Sequence, residues 1–204
     1  MLTPTTELQA VNIMLSGIGE SPVNTLEGTT TTDVSLAKSI LEEISRDFQL
    51  EGWSFNTERN YPLSVNEDNE VKVPSNVARV YFREPDSRVY VLRGRRIYNT
   101  KTHSFKFPAE TPSSFRNCAA VLLLDFTELP ETARRYVTIK ATRIFQERTV
   151  GSVELSGYQR DDETRARALF LHEEDRSGRH NMLQGYLAPR GCGWQVFETM
   201  NRVI

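Results

Sequence analysis

DVSLAKSILEEISRDFQLEGWSFNTE, residues 33–58, changes its hydrophobic period once, and that change decides the fold. Up to Phe48 the apolar residues Leu36, Ala37, Ile40, Leu41, Ile44 and Phe48 recur at three- and four-residue steps, the signature of a helix with one buried face. Asp33 is placed to cap it, and Gly52 falls just past its last turn, where a left-handed residue ends a helix well. Beyond Gly52 the period drops to two. Trp53, Phe55 and Thr57 alternate with Ser54 and Asn56, which predicts a strand leaving the helix. A helical segment thus hands over to a β segment, and the expected class is α+β.

Upstream, Thr6 can cap a helix in which Leu8, Val11, Met14, Leu15 and Ile18 keep helical spacing until GIGESP, with Gly17, Gly19 and Pro22, stops it. Gly17 and Gly19 are expected to set a close turn between helices, and a Thr-rich linker, TLEGTTTTD, follows. Downstream, VARVYF (77–82), VYVL (89–92), RRIYN after the turn at Arg93–Gly94, THSFKF (102–107) and AAVLLLDF (119–126) read as strands. Pro62, Pro74, Pro85, Pro108 and Pro112 fall between them. Residues 53–126 are expected to form a small antiparallel sheet or barrel of five or six strands.

Helices return at ELPETARRYVTIKATRIFQERTVG. Pro130 suits a first helical position, and Ala133, Tyr136, Val137, Lys140, Ala141, Ile144 and Phe145 run at helical spacing to Gly151. A fourth helix is expected over Ser156–Asp175, with Tyr158, Ala166, Leu169 and Phe170 inward and Gly178 as its stop. The expected architecture is a four-helix bundle-like domain from residues 1–52 and 127–183, with a small antiparallel β-domain inserted at 53–126. An extended C-terminal docking arm covers 184–204.

Composition narrows the function. The chain has 204 residues, 25 Lys+Arg against 27 Asp+Glu, a net charge of −2 and a pI near 6.0. That balance excludes a wholesale basic nucleic-acid binder. Two cysteines, Cys118 and Cys192, are too few for a disulfide scaffold and form no CxxC pair. No apolar run approaches the roughly 18 residues that span a bilayer, and MLTPTTELQA does not read as a secretory signal. A soluble, cytosolic chain is the expectation. Charge is unevenly spread: residues 1–50 hold seven acids and two bases, whereas residues 131–204 hold ten acids and twelve bases. The two ends suit a head-to-tail meeting between subunits, or pairing within one.

The search for chemistry yields no catalytic, cofactor-binding or metal-ligating residues. His103, His172 and His180 make no metal-binding helix face, and HEED (172–175) reads as the polar end of a helix. No nucleophile elbow, phosphate loop or dinucleotide fingerprint is present. GCG around Cys192 reads as a packed small residue without a base beside it. The adjacent Asp161 and Asp162 lack the controlled separation that glycoside hydrolysis needs. Two segments remain. RGRRIY gathers Arg93, Arg95 and Arg96 beside Tyr98, a phosphate contact or, more simply, a solvated hairpin tip or a contact to a protein carboxylate. The C-terminal segment holds Tyr186, Leu187, Trp194, Phe197, Met200 and Ile204, which either cover the chain's own sheet or anchor it on another subunit. Its Gly-Pro-Arg-Gly context favours an arm that docks.

ELQAVNIMLSGIGESPVNTLEG (7–28) followed by ILEEISRDFQLEGWSFNTE (40–58) resembles the N-terminal half of tail tubular protein A of short-tailed, podovirus-type bacteriophages. LPETARRYVTIKATRIFQER (129–148), DETRARAL (162–169) and HNML (180–183) are similar to the same family's second helical pair. Tyr61–Cys118 matches only in character. The resemblance implies a structural virion protein without cofactors, made in the host cytoplasm and placed in the virion tail. It implies a twelve-subunit adaptor ring between the portal protein and the tail nozzle, with tail fibres near that junction and genomic DNA passing through the lumen unread. Tyr186, Leu187, Trp194 and Phe197 would then dock on the portal or a neighbouring subunit. The alternatives are a tail-associated glycan hydrolase and, behind it, a DNA-binding module using Arg93, Arg95 and Arg96.

Overall fold

A computed structural model describes residues 3–27, 31–83, 88–108, 112, 115, 118–151 and 153–177, with the backbone alone for 153–156, 158 and 177. The fold is α+β. Helices α1 (Glu7–Ser16) and α2 (Thr32–Gln49) precede strands β1 (Thr57–Arg59), β2 (Val77–Phe82), β3 (Tyr90–Arg93), β4 (Arg96–Asn99) and β5 (Cys118–Leu122). Helices α3 (Glu131–Thr149) and α4 (Val153–Ser177) follow. The chain divides into two compact units. The helical unit lies within Met1–Phe48 and Leu124–Gly178, and the β unit within Gln49–Leu123.

In the helical unit α1 starts on a reciprocal cap. Gln9 N–H donates to Thr6 Oγ1 at 3.2 Å, and Thr6 N–H donates to Gln9 Oε1 at 3.0 Å, which satisfies two of the orphan donors at the helix start. Its buried face is Ala10, Val11, Met14 and Leu15. On α2, Ala37, Ile40, Leu41, Ile44 and Phe48 are buried as the periodicity requires, and Leu36 stands at the exposed edge. Phe48 packs its ring 5.1 Å from Tyr136 on α3 and 4.9 Å from Phe170 on α4, so one side chain ties three helices together. Arg134 joins the start of α3 to the chain before α1. It donates to the carbonyls of Leu129 (2.7 Å), Thr5 (2.9 Å) and Thr127, while Glu131 accepts from Thr5 N–H at 2.8 Å.

The β unit centres on β5, whose five residues are all buried. It pairs antiparallel with β1 on one side and β2 on the other, and β3 and β4 form a separate antiparallel hairpin. Phe115 sits among Phe82, Tyr90 and Phe107, with ring centroids 5.1–5.5 Å away, and this aromatic cluster is the shared core of the two sheets. Gly52 has φ +78°, and its N–H donates to Gln49 O at 3.1 Å, the left-handed stop expected after α2.

Several expectations need correction. Trp53–Asn56 is a turn, and β1 begins only at Thr57. Asn56 overrides the alternation, because its side chain accepts from Trp53 N–H and donates to two carbonyls. THSFKF forms no strand. Asn99 Oδ1 accepts from the N–H groups of Lys101 and Thr102, closing a turn that leaves a single bridge between Asn99 and Ser104. The cap of α2 is Thr31, whose Oγ1 accepts from Val34 N–H, and Asp33 lies inside the first turn. Pro130 is the residue before α3 rather than its first. On α4, Ala166 and Phe170 face inward, but Leu169 is 58% exposed. The helix also extends past both expected ends. Gly178 and the side chain of Tyr158 lie outside the described residues.

Candidate assembly surfaces

The β3–β4 hairpin presents the arginines singled out above. Its register places Arg93 opposite Arg96, Leu92 opposite Ile97 and Val91 opposite Tyr98. Side chains alternate across a ladder, so Val91, Arg93, Arg96 and Tyr98 share one face while Ile97, fully buried, lies on the other. Gly94, with φ +61°, makes the tight connection possible.

Two like charges directly opposite would repel. The hairpin resolves this with aromatic rings and one carboxylate. The Arg93 guanidinium lies 3.8 Å from the Tyr98 ring centre and that of Arg96 lies 4.2 Å from Phe105. Tyr98 and Phe105 meet edge to face at 4.9 Å, which closes a guanidinium–aromatic ladder. Each stacking contact is worth about 0.5–1 kcal/mol at an exposed site. Glu70 accepts from Arg96 at 3.2 Å and stands 3.6 Å from Lys106. Residues 66–73 frame the hairpin through the backbone: Ile97 N–H donates to Val71 O and Val73 N–H donates to Arg95 O, both at 3.0 Å. Arg96 therefore contacts a protein carboxylate, whereas the Arg95 side chain is exposed and meets no partner among the described residues. The sequence pointed to the arginines but not to Glu70 or Phe105. The signal available was the aromatic residue following the turn after β4.

Between α3 and α4 an open groove carries a second cluster of arginines. Here the charges are internally matched. Arg143 donates to Glu163 at 2.7 Å and to both oxygens of Glu147 at 3.0 Å, Arg160 approaches Glu147 at 3.7 Å, and Arg167 donates to the Tyr136 hydroxyl at 3.0 Å. The carboxylate bonds to Arg143 outweigh its partial burial and hold its pKa above the ordinary guanidinium value. This seam binds the helices to each other.

The remaining candidates carry no chemistry of their own. Cys118 is fully buried, and its thiol donates to the carbonyls of Tyr61 and Phe115. Burial pushes its pKa up, away from a reactive thiolate. His172 is exposed near the end of α4, as are Asp161 and Asp162 farther up it. No group of His, Cys, Asp and Glu among the described residues could hold a metal ion, and no helix there is long and apolar enough to cross a membrane. Tyr186, Leu187, Trp194 and Phe197 lie outside the described residues, as do Cys192 and His180.

A family model described as tail tubular protein matches residues 8–180. The match runs from α1 through α4 and includes the β unit between them. The chain belongs to the tail tubular protein family. It is a structural component of a phage tail, as the helical blocks quoted above implied. A search of curated proteins found no match. The hairpin ladder is an exposed surface among the described residues of this tail tubular protein.

Proposed function

We propose that this tail tubular protein is the adaptor ring of a podovirus-type tail, joining the portal to the tail nozzle and lining part of the channel through which the genome is ejected. The observation that carries the reading is the family match over residues 8–180, together with the closeness of both helical blocks to tail tubular protein A. Twelve copies close the ring through one heterologous contact repeated by a fixed rotation. An assembled portal offers many linked sites at once, so weak single contacts hold through effective concentration. The C-terminal arm, with Tyr186, Leu187, Trp194 and Phe197, docks on the portal or a neighbour, and tail fibres attach near the nozzle end. DNA slides past without being read, in keeping with a chain of net charge −2. The protein is made in the host cytoplasm and acts without enzymatic chemistry.

Light scattering of the chain alone, and mixed with its phage's portal ring, tests this. A complex heavier than the portal by the mass of a complete ring of this chain supports the adaptor role. Separate elution of the two proteins at assembly concentrations overturns it.

A further inference from the structure

The large apolar side chains exposed among the described residues are Ile13, Leu36, Val150 and Leu169, and all four stand in the helical unit. The β3–β4 hairpin exposes none of this kind but concentrates charge. Residues 88–108 hold six bases and no acid. The framing segment 66–73 adds three acids and one base, so the patch carries seven bases and three acids. Its net charge is +4 on a chain whose total is −2. Two of the acids are matched locally, Asp68 with Lys72 at 3.2 Å and Glu70 with Arg96 and Lys106. Arg93 and Arg95 are exposed and meet no carboxylate among the described residues. Stacking over Tyr98 orients the Arg93 guanidinium without using its N–H donors.

The class of partner follows from what the hairpin lacks. Protein interfaces centre on buried apolar or aromatic anchors. Here Tyr98 and Phe105 each carry a guanidinium on a ring face, which removes them as anchors and as platforms for an unpaired base. What remains is a row of guanidinium donors suited to phosphate oxygens. Duplex DNA presents these densely. A four-residue strand spans about 14 Å, and a duplex carries one charge per roughly 1.7 Å of its axis, about eight over that length. The negative total of the chain is weakly felt there, since exposed charges beyond about 8 Å are screened at physiological salt.

We propose that the β3–β4 hairpin binds the phosphate backbone of duplex DNA through Arg93 and Arg95, without reading bases. The contact rests on the channel reading above, which supplies the DNA, and names the surface that touches it. Phosphate contacts pass from one phosphate to the next, so they suit a genome that slides.

Fluorescence anisotropy of duplex DNA with the full chain, read across salt concentration, tests the contact. Wild type is expected to bind two duplexes of unrelated sequence equally and to weaken as salt rises. Arg93→Gln with Arg95→Gln is expected to weaken binding at least about tenfold and to lower the salt slope by about two. Arg165→Gln with Arg176→Gln removes the same charge from exposed positions on α4 and should leave binding nearly unchanged. A thermal melt shows that each variant is folded. Equal losses in the two double variants would mean diffuse charge attraction and overturn the hairpin contact. Polyglutamate that competes as well as DNA at matched charge would make the hairpin a protein-docking surface, which also overturns it. Portal association of the wild-type chain, measured in parallel, separates the two readings. A chain that joins the portal but binds no duplex at low salt keeps the ring reading and loses the hairpin contact. One that binds duplex through the hairpin without joining the portal does the reverse, and one that does neither loses both.

Discussion

Gly17 faces Thr142 so closely that a Cβ at position 17 would stand 2.9 Å from Thr142 Cγ2. Gly17 has ordinary right-handed geometry, φ −64° and ψ −19°, so backbone freedom is not why glycine is needed there. What matters is the close approach of the end of α1 to α3. The Thr142 side chain is in turn anchored, its hydroxyl donating to Thr138 O at 2.8 Å.

Gly17→Ala is therefore expected to destabilise the helical unit by about 1–3 kcal/mol, as overpacking does, despite alanine's better helix propensity. Thr142→Ser removes the opposing methyl and keeps the anchoring hydroxyl. In that background Gly17→Ala should become nearly neutral. Thermal unfolding of the two single variants and the double variant measures the coupling, and additive losses would show that the methyl is not the obstacle.

Asn56 does for the β unit what a backbone ladder could not. Its Nδ2 donates to Gln49 O and Leu122 O, both at 2.9 Å, its Oδ1 accepts from Trp53 N–H at 2.8 Å, and the residue is 1% exposed. Asn56→Ala removes the bonds to Trp53 N–H and Leu122 O and leaves Gln49 O with Gly52 N–H alone, at a cost of about 2–4 kcal/mol. Asn56→Asp should cost more, because it sets a carboxylate against two carbonyl oxygens. Urea unfolding checks both, with the midpoint falling and the slope unchanged.

The same residue shows where sequence reading stops. Hydrophobic period located all four helices because burial on one face writes a repeat of three and four, and Phe48, Tyr136 and Phe170 were all placed inward from that repeat alone. Strand ends were less legible. Trp53, Phe55 and Thr57 alternate as a strand would, yet Asn56 closes a turn among them through a side-chain bond that no periodicity registers. Asn99 does the same before Ser104. Leu169 was misplaced because one helical position from Phe170 is a rotation of about 100°, enough to turn a residue from core to solvent on a helix with many charged neighbours. At the hairpin, arginine count was visible in sequence, but the pairing of Arg96 with Glu70, 26 residues away, required the fold.

Glu43 and Arg148 give the helical unit an acid-sensitive link. Arg148 donates to both carboxylate oxygens of Glu43, at 2.8 and 2.9 Å. The hydrogen bond from Arg148 holds the Glu43 pKa below the ordinary glutamate value. A folded-state pKa depressed in this way adds stability above the unfolded pKa and loses it as pH falls through the folded value. Wild-type stability should drop on acidification below the ordinary glutamate range, about pH 4.3. Glu43→Gln should flatten that part of the profile. The pair is exposed, so high salt should narrow the difference between wild type and variant. Parallel pH profiles at low salt would show that other carboxylates carry the acid sensitivity.

The proposed docking role of residues 187–204 predicts that folding and assembly can be separated. Residues 187–204 follow the family match and hold Leu187, Trp194, Phe197 and Ile204. Aromatic side chains bury large area for little lost rotamer freedom and serve as anchors where subunits meet. Deleting Leu187–Ile204 should leave far-UV helix signal nearly intact, because α1–α4 all precede the cut. Ring and portal association should fall at least about tenfold, the loss of one or more buried anchors. Trp194→Ala with Phe197→Ala should reproduce most of that loss without shortening the chain. A deletion that lowers the melting temperature sharply, with association of the remaining folded chain unchanged, would instead place the arm against its own subunit.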